Sequence, residues 1–171
     1  MSVAILRDLR AEFGEARDQH PRPTCMAFAA SHAHSGLRAG WQPLFVEWAY
    51  YHAVHRDGAT LASMLKVLEV DGQPHETGWP YIAKPILDPA VWKPPPGVLP
   101  LFRRDSNLIT ATLDEIIGHL DAGVPVLMTM QLSDAFYLPD EEGIVDSGEQ
   151  PDPKRRHAVV AVGHGLGRQS G

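Results

Sequence analysis

The chain has 171 residues with a single cysteine, and 21 acidic residues against 15 basic ones give a formal charge of -6. That length suits one domain with a sizeable core, built without an intrachain disulfide or a cysteine-based zinc site. The acidic balance argues against a general phosphate-binding surface and hence against nucleic acid as a partner, and no apolar run approaches the roughly 18 residues of a membrane span.

At the N-terminus, "MSVAILRDLRAEF" carries a short apolar run that Arg7, Asp8 and Arg10 interrupt before the length of a signal-peptide core. A soluble, cytoplasmic protein is the expectation. The next informative stretch is "QHPRPTCMAFA", residues 19–29, where Cys25 stands ahead of a run of good helix formers: Met26, Ala27, Ala29, Ala30 and Ala33. Thr24 suits the N-cap and Pro23 stops the helix from extending backwards, so a helix is predicted from Thr24 to Leu37. Its alanines allow close approach of neighbouring backbone, as a central buried helix requires. A second helix is predicted from Pro43 to about His55, with Phe45, Trp48, Ala49, Tyr51 and His52 at roughly helical spacing, and a third from Thr60 to Val70, ending at Asp71-Gly72.

Seven prolines between Gly78 and Pro100 exclude an interior helix or central strand there, leaving an extended connector laid over the surface. In "TLDEIIGHLDAG", Thr112 and Glu115 match a capping box, Leu113, Ile116, Ile117 and Leu120 form an inward stripe, and Gly123 ends the helix. Strands are predicted at 124–132 and 157–163, with a loop between them that holds a short strand at 143–146 and the solvated cluster Lys154, Arg155 and Arg156. Helices first and strands afterwards describe an α+β protein. The expected organisation is one domain over 1–171, with a helical lobe at 10–98 and a β-rich lobe at 99–171 that also takes in 1–9. A cleft between lobes is the expected place for a site.

Nine histidines invite a metal hypothesis, but His32 and His34 are two apart and point in different directions, while His52 and His55 have no acidic or cysteine ligand nearby in sequence. No metal and no cofactor are expected. Gly163, Gly165 and Gly167 match no phosphate-binding fingerprint.

The thiolate is the reactive form of cysteine, and the unpaired N–H groups of a helix's first turn favour negative charge. Cys25 lies in such a turn. A nucleophilic thiol also needs a base near it in space. His157 opens an apolar strand directly after a polar loop, where its ring can reach into a cleft, whereas His164 reads as a surface residue. Gln19, six residues before Cys25, can offer its amide to a developing oxyanion together with the Cys25 backbone N–H.

These residues carry a resemblance. "RDQHPRPTCMAFAASHA" resembles the motif of the papain-like cysteine peptidases, in which a glutamine precedes the catalytic cysteine by six positions. In that family the histidine lies roughly 130–150 residues beyond the cysteine. Here the separation from Cys25 to His157 is 132, and "HAVVAVGHG" resembles the family's histidine strand. "LRDLRAEFGEARDQ" looks like its lead-in, "ETGWPY" like its Tyr-Pro-Tyr segment, and "VPVLMTMQLSDAFY" with "EEGIV" like the strand and loop that line its cleft.

The resemblance implies a papain-like two-lobed fold, with Cys25 as nucleophile, His157 as general base and later acid, and Gln19 as oxyanion donor. It also implies that the 128–133 stretch, with Met128, Met130 and Ser133, receives a substrate side chain, and that the partner is a peptide or protein substrate. Two departures stand out. Pro23, Thr24 and Met26 occupy positions where the family has Gly, Ser and Trp. The family's Asn-Ser-Trp-Gly segment, which orients the histidine, falls beyond Gly171, and the only asparagine is Asn107. The expectation is that the C-terminal strands are missing or supplied otherwise, leaving an open β edge for a partner or self-association. Absence of a pro-segment and of disulfides points to the intracellular, microbial type. The functional expectation is thiol-dependent peptide hydrolysis, with a weakened or inactive peptide-binding relative, or an acyltransferase or transglutaminase, as alternatives.

Overall fold

The computed structural model describes residues 2–57, 59–145 and 148–168. Strand β1 (Ser2–Asp8) is followed by an extended segment with one 3₁₀ turn, and then by helix α1 (Cys25–Gly36). Alanine dominates the buried surface of α1: Ala27 and Ala30 are wholly covered, and Ala29 and Ala33 nearly so. Small side chains let α2 (Val46–Asp57) and α3 (Leu61–Lys66) pack on α1 from one side while β3 (Asp152–Ala161) packs from another. The core joins Val46, Ala49 and Ala53 of α2 with Met64, Val67 and Leu68, and with Ala158 of β3. It spans both the helical and the β-rich parts of the chain.

Helix α1 begins where the sequence indicates, but not by the expected cap. The Thr24 hydroxyl makes no capping bond to its own helix and instead hydrogen-bonds the Tyr81 hydroxyl at 2.8 Å. By contrast α3 has a full capping box, Thr60 with Ser63, and continues as one wider π-helical turn over Val67–Asp71 before Gly72 at φ 70°. Gly72 N–H donates to Val67 O at 2.8 Å, closing the wide turn with both Val67 and Leu68 buried.

The proline-rich stretch forms no helix or strand, yet it is more than a surface connector. Trp92 is buried and Tyr81 and Ile82 are half-buried, so the stretch is a strap drawn across α2. Its apolar rings supply the burial that its missing backbone hydrogen bonds do not.

Helix α4 (Leu113–Asp121) carries the capping box read from the sequence: Glu115 N–H donates to Thr112 Oγ1 at 3.3 Å, and Thr112 N–H donates to Glu115 Oε2 at 2.7 Å. Leu120 is buried and Ile116 and Ile117 half-buried, but Leu113 is exposed, because it sits in the first turn and later turns make the contact with the strands.

Two antiparallel strand pairs form the β part among the described residues. β2 (Val126–Leu132) pairs with β3, and β1 pairs with β4 (Gly163–Arg168). β3 starts five residues earlier than expected, at Asp152, so Lys154, Arg155 and Arg156 lie on a strand and not in a loop. Arg155 bonds Asp134 and Asp152, which neutralises part of this exposed edge. Residues 143–145 form no strand, and the remainder of that expectation, Asp146, lies outside the described residues. The single strand expected at 157–163 is two: the chain leaves the β2–β3 pair after Ala161 and enters the β1–β4 pair at Gly163. Two glycines explain how β4 approaches β1. A Cβ at Gly163 would come 2.4 Å from the Arg7 carbonyl oxygen, and one at Gly165 would come 2.5 Å from that of Ala4. No helix among the described residues is long and apolar enough to cross a membrane.

Candidate active site

Cys25, at the head of α1, is partly exposed. It opens a cleft of about 650 Å³ that follows one flank of the helix, and Gln19, Phe28, His32, His157 and Val160 are among the lining residues. Cys25, Phe28 and His32 share this flank because successive steps of three and four residues return to the same helix face. Gln19 and Cys25, six residues apart, line one cavity with His157, which lies 132 residues beyond the cysteine.

The loop ahead of the thiol is braced at several points. His20 adopts φ 54°, a left-handed turn rare outside glycine, and its N–H donates to Asp18 Oδ1 at 2.7 Å. One N–H of the Gln19 side-chain amide donates to the Arg22 carbonyl at 3.0 Å. An amide nitrogen has two hydrogens, so this bond orients the group and leaves a second donor. The Tyr81 hydroxyl donates to the Gln19 carbonyl at 2.5 Å while bonding Thr24, and so ties both ends of the loop to the strap. Arg17 makes a bidentate pair with Glu76, both bonds 2.7 Å.

The deepest brace is Arg22. Its guanidinium is buried in a pair with Glu47 of α2, donates to the Ile82 carbonyl at 2.5 Å and lies among the rings of Tyr50, Tyr81 and Trp92. Glu47 in turn accepts from Ile82 N–H at 2.8 Å and Trp92 Nε1 at 2.9 Å. Each Glu47 oxygen thus accepts two bonds and the Arg22 guanidinium donates three, which fixes the buried pair in one geometry. Sequence reading did not find it, since nothing in the spacing of 25 residues links the two partners.

His157 stands on β3 directly opposite Met130 of β2, and its ring meets that of Phe136 edge to face at 5.8 Å. Burial pushes its ring basicity below the usual histidine value, so the neutral form is favoured. Among the described residues none hydrogen-bonds this ring. Met128 and Met130 share the sheet face of His157 by register, since residues directly opposite in an antiparallel pair lie on one side. Neither they nor Ser133, which begins a short 3₁₀ turn, belong to the residues lining the cleft. His164 is paired with Asp121 at 2.7 Å, away from the thiol cleft.

His32 was missed as a cleft residue. Its Nε2 is buried without a partner among the described residues, and burial holds its basicity down. Its position seven residues after Cys25, on the same helix face, is the signal that could have found it. No group of three or more His, Cys, Asp or Glu that could hold a metal ion occurs among the described residues.

A cysteine heading a central helix, lining one cleft with a histidine on an antiparallel strand, sits here in the fold of the papain-like cysteine proteases. Two solved structures illustrate the likeness. Xylellain, a cysteine protease from Xylella fastidiosa, superposes with a TM-score of 0.70 at 19% identity, over 95% of this chain and 70% of the other. A structure from a study of the mite allergens Blo t 1 and Der p 1 matches with a TM-score of 0.68 at 18% identity, over 98% of this chain but 59% of the other. The chain thus spans well under the full length of these neighbours. No protein-family model matches the sequence, and no curated protein does.

Proposed function

We propose that the protein is a thiol-dependent peptidase acting through an acyl-enzyme on Cys25. The observation that carries this reading is that His157, 132 residues further along the chain, lines the same cleft as Cys25 and Gln19. In the proposed reaction the His157 ring accepts the thiol proton, and the sulfur attacks the carbonyl carbon of a peptide bond. Negative charge gathers on the carbonyl oxygen, where the free N–H of the Gln19 amide and the Cys25 backbone N–H donate to it. The C–N bond then breaks, with the amine leaving with the proton held by His157. Water, deprotonated by the same ring, releases the acid and restores the thiol. Depressed basicity of His157 supports its part as acceptor, since the ring stays neutral at and below the usual histidine value. Met130 and its neighbours are proposed to flank the substrate beside His157 rather than to floor the cleft.

Labelling with iodoacetamide and an epoxide peptide probe tests the reading. Native protein should alkylate at Cys25 faster than the urea-unfolded chain, and His157→Ala should slow the reaction by about 100-fold or more, the ordinary worth of a positioned base. Equal rates in the native and unfolded states would defeat it. A second reading, a peptide-binding relative without turnover, is favoured by the absence of a hydrogen bond to the His157 ring among the described residues; a reactive thiol that releases no product from a peptide library would select it. Ligated product would select an acyltransferase instead.

A further inference from the structure

A second cleft lies towards the opposite end of α1. It encloses about 330 Å³ and is lined by His34, Arg38, Arg103, Arg104 and Asp105. His34 follows Cys25 by nine residues, or about 14 Å of helix at roughly 1.5 Å per residue. It faces away from the thiol cleft that His32 lines.

Three guanidinium groups around one small cleft are unexpected in an acidic chain. Arg10, Arg17, Arg22, Arg56 and Arg155 each pair with a carboxylate. Among the described residues Arg38, Arg103 and Arg104 form no ion pair. They are nonetheless held in place: Arg38 sits over the Phe102 ring, 3.3 Å from its centroid, and Arg103 Nε donates to the Val70 carbonyl at 2.9 Å. Backbone pairing of Phe102 with Gln73, and the bond from Arg104 N–H to the Leu68 carbonyl, fix the segment that carries the two neighbouring arginines. Burial first, and then the charge of Arg104, keep Arg38 below the usual arginine range, so the two cations feel each other.

His34 is almost wholly buried at the wall of this cleft, with its Nδ1 3.0 Å from Gln73 Oε1. Gln73 Nε2 already donates to Ser31 Oγ and to the Phe45 carbonyl, so its oxygen accepts and His34 Nδ1 carries the hydrogen. The remainder of the ring is thereby set in a fixed orientation. One cation just past a helix C-terminus is ordinary compensation of the helix dipole, and Arg38 alone would need no other account. Three unpaired cations go beyond that.

We propose that this cleft binds a tetrahedral oxyanion, inorganic phosphate or a phosphate monoester, between Arg38 and Arg104 with Arg103 at the rim. Guanidinium forks match phosphate oxygens in pairs. Three positive charges against the single carboxylate of Asp105 leave an excess of two. A phosphate monoester at pH 7 carries about -1.5 to -2. The site is separate from Cys25 and does not rest on the peptidase reading.

Isothermal titration calorimetry of the full chain with sodium phosphate and with O-phosphoserine, at matched ionic strength and with chloride as control, tests this. Saturable binding of either is expected, weakened about tenfold or more in Arg104→Gln and Arg38→Gln, each of which removes a fork. Asp105→Asn removes the one opposing charge and should tighten binding, which keeps the test decisive even where an arginine variant does not fold. Binding of O-phosphoserine but not phosphate assigns the cleft to a phosphorylated side chain, and the reverse assigns it to a free ion. Heat no greater than that of chloride, or affinity unchanged in both Arg104→Gln and Asp105→Asn, overturns the proposal.

Discussion

Arg22, three residues before Cys25, forms a fully buried bidentate ion pair with Glu47 of α2. The pair links the loop in front of the thiol to α2, and through Ile82 and Trp92 to the strap. Replacing Glu47 by Gln leaves the Arg22 charge buried and unmatched, a change that costs about 3–5 kcal/mol. The expected outcome is a large fall in the urea midpoint at unchanged m-value. An unaltered midpoint would show that the pair contributes nothing once its partners relax.

Tyr81→Phe is a gentler probe of the same brace. Loss of the hydroxyl frees the Gln19 carbonyl and Thr24 Oγ1 together. Stability should fall by about 0.5–1.5 kcal/mol per lost bond. Alkylation of Cys25 should slow several-fold while probe affinity holds, because the shape of the cleft survives and only the placement of the loop loosens. Loss of affinity with an unchanged rate would contradict this.

Gly163→Ala tests the approach of β4 to β1. The added methyl meets a backbone oxygen, which cannot step aside as a flexible side chain could. Forced overpacking of this kind costs about 1–3 kcal/mol. Thermal unfolding should show the loss, and the same change at exposed Gly118, where nothing lies within 4 Å of the new atom, should show none of it.

Acid should weaken the fold through its histidines. His32, His34, His52 and His157 all have basicity lowered chiefly by burial. Their contribution is complete above the unfolded-state value of 6.5 and is lost as pH falls through the lower folded-state values, because the unfolded chain takes up protons first. Denaturant midpoints should therefore drop steadily below pH 6.5, with net proton uptake on unfolding. Midpoints that rise on acidification in that window would reverse the sign. The carboxylate of Asp8, held down to about 2 by its bonds to Arg10, adds a loss in the same direction only at far lower pH.

What the sequence revealed and what it hid divide along local and distant interactions. The start of α1 at Cys25 and the Thr112–Glu115 box were legible because the signals span a few residues. The cap of α1 was not: Thr24 has the right identity, but its hydroxyl is drawn away by Tyr81, 57 residues on. The strap read as surface because proline excludes regular structure, while the burial of Trp92 depends on Glu47 and the rings around it. The opposed directions of His32 and His34 were legible from helical geometry, but their separation into two clefts needed the placement of segments 10–19 and 102–105. The apolar run at 157–163 hid a change of sheet, because both halves are extended and only the partners differ.

The antiparallel pairing of Ser2 with Arg168 and of Val3 with Gly167 has a consequence for the order of folding. β1 is synthesised before its pairing partner β4, which follows only after more than 150 further residues have been made. Until then Val3, Ile5 and their neighbours lack the only strand they pair with among the described residues, while α1, α2 and α3 can already pack. Closing so long a loop places the β1–β4 pair late, and the rate-limiting step should depend on it more than on the helices.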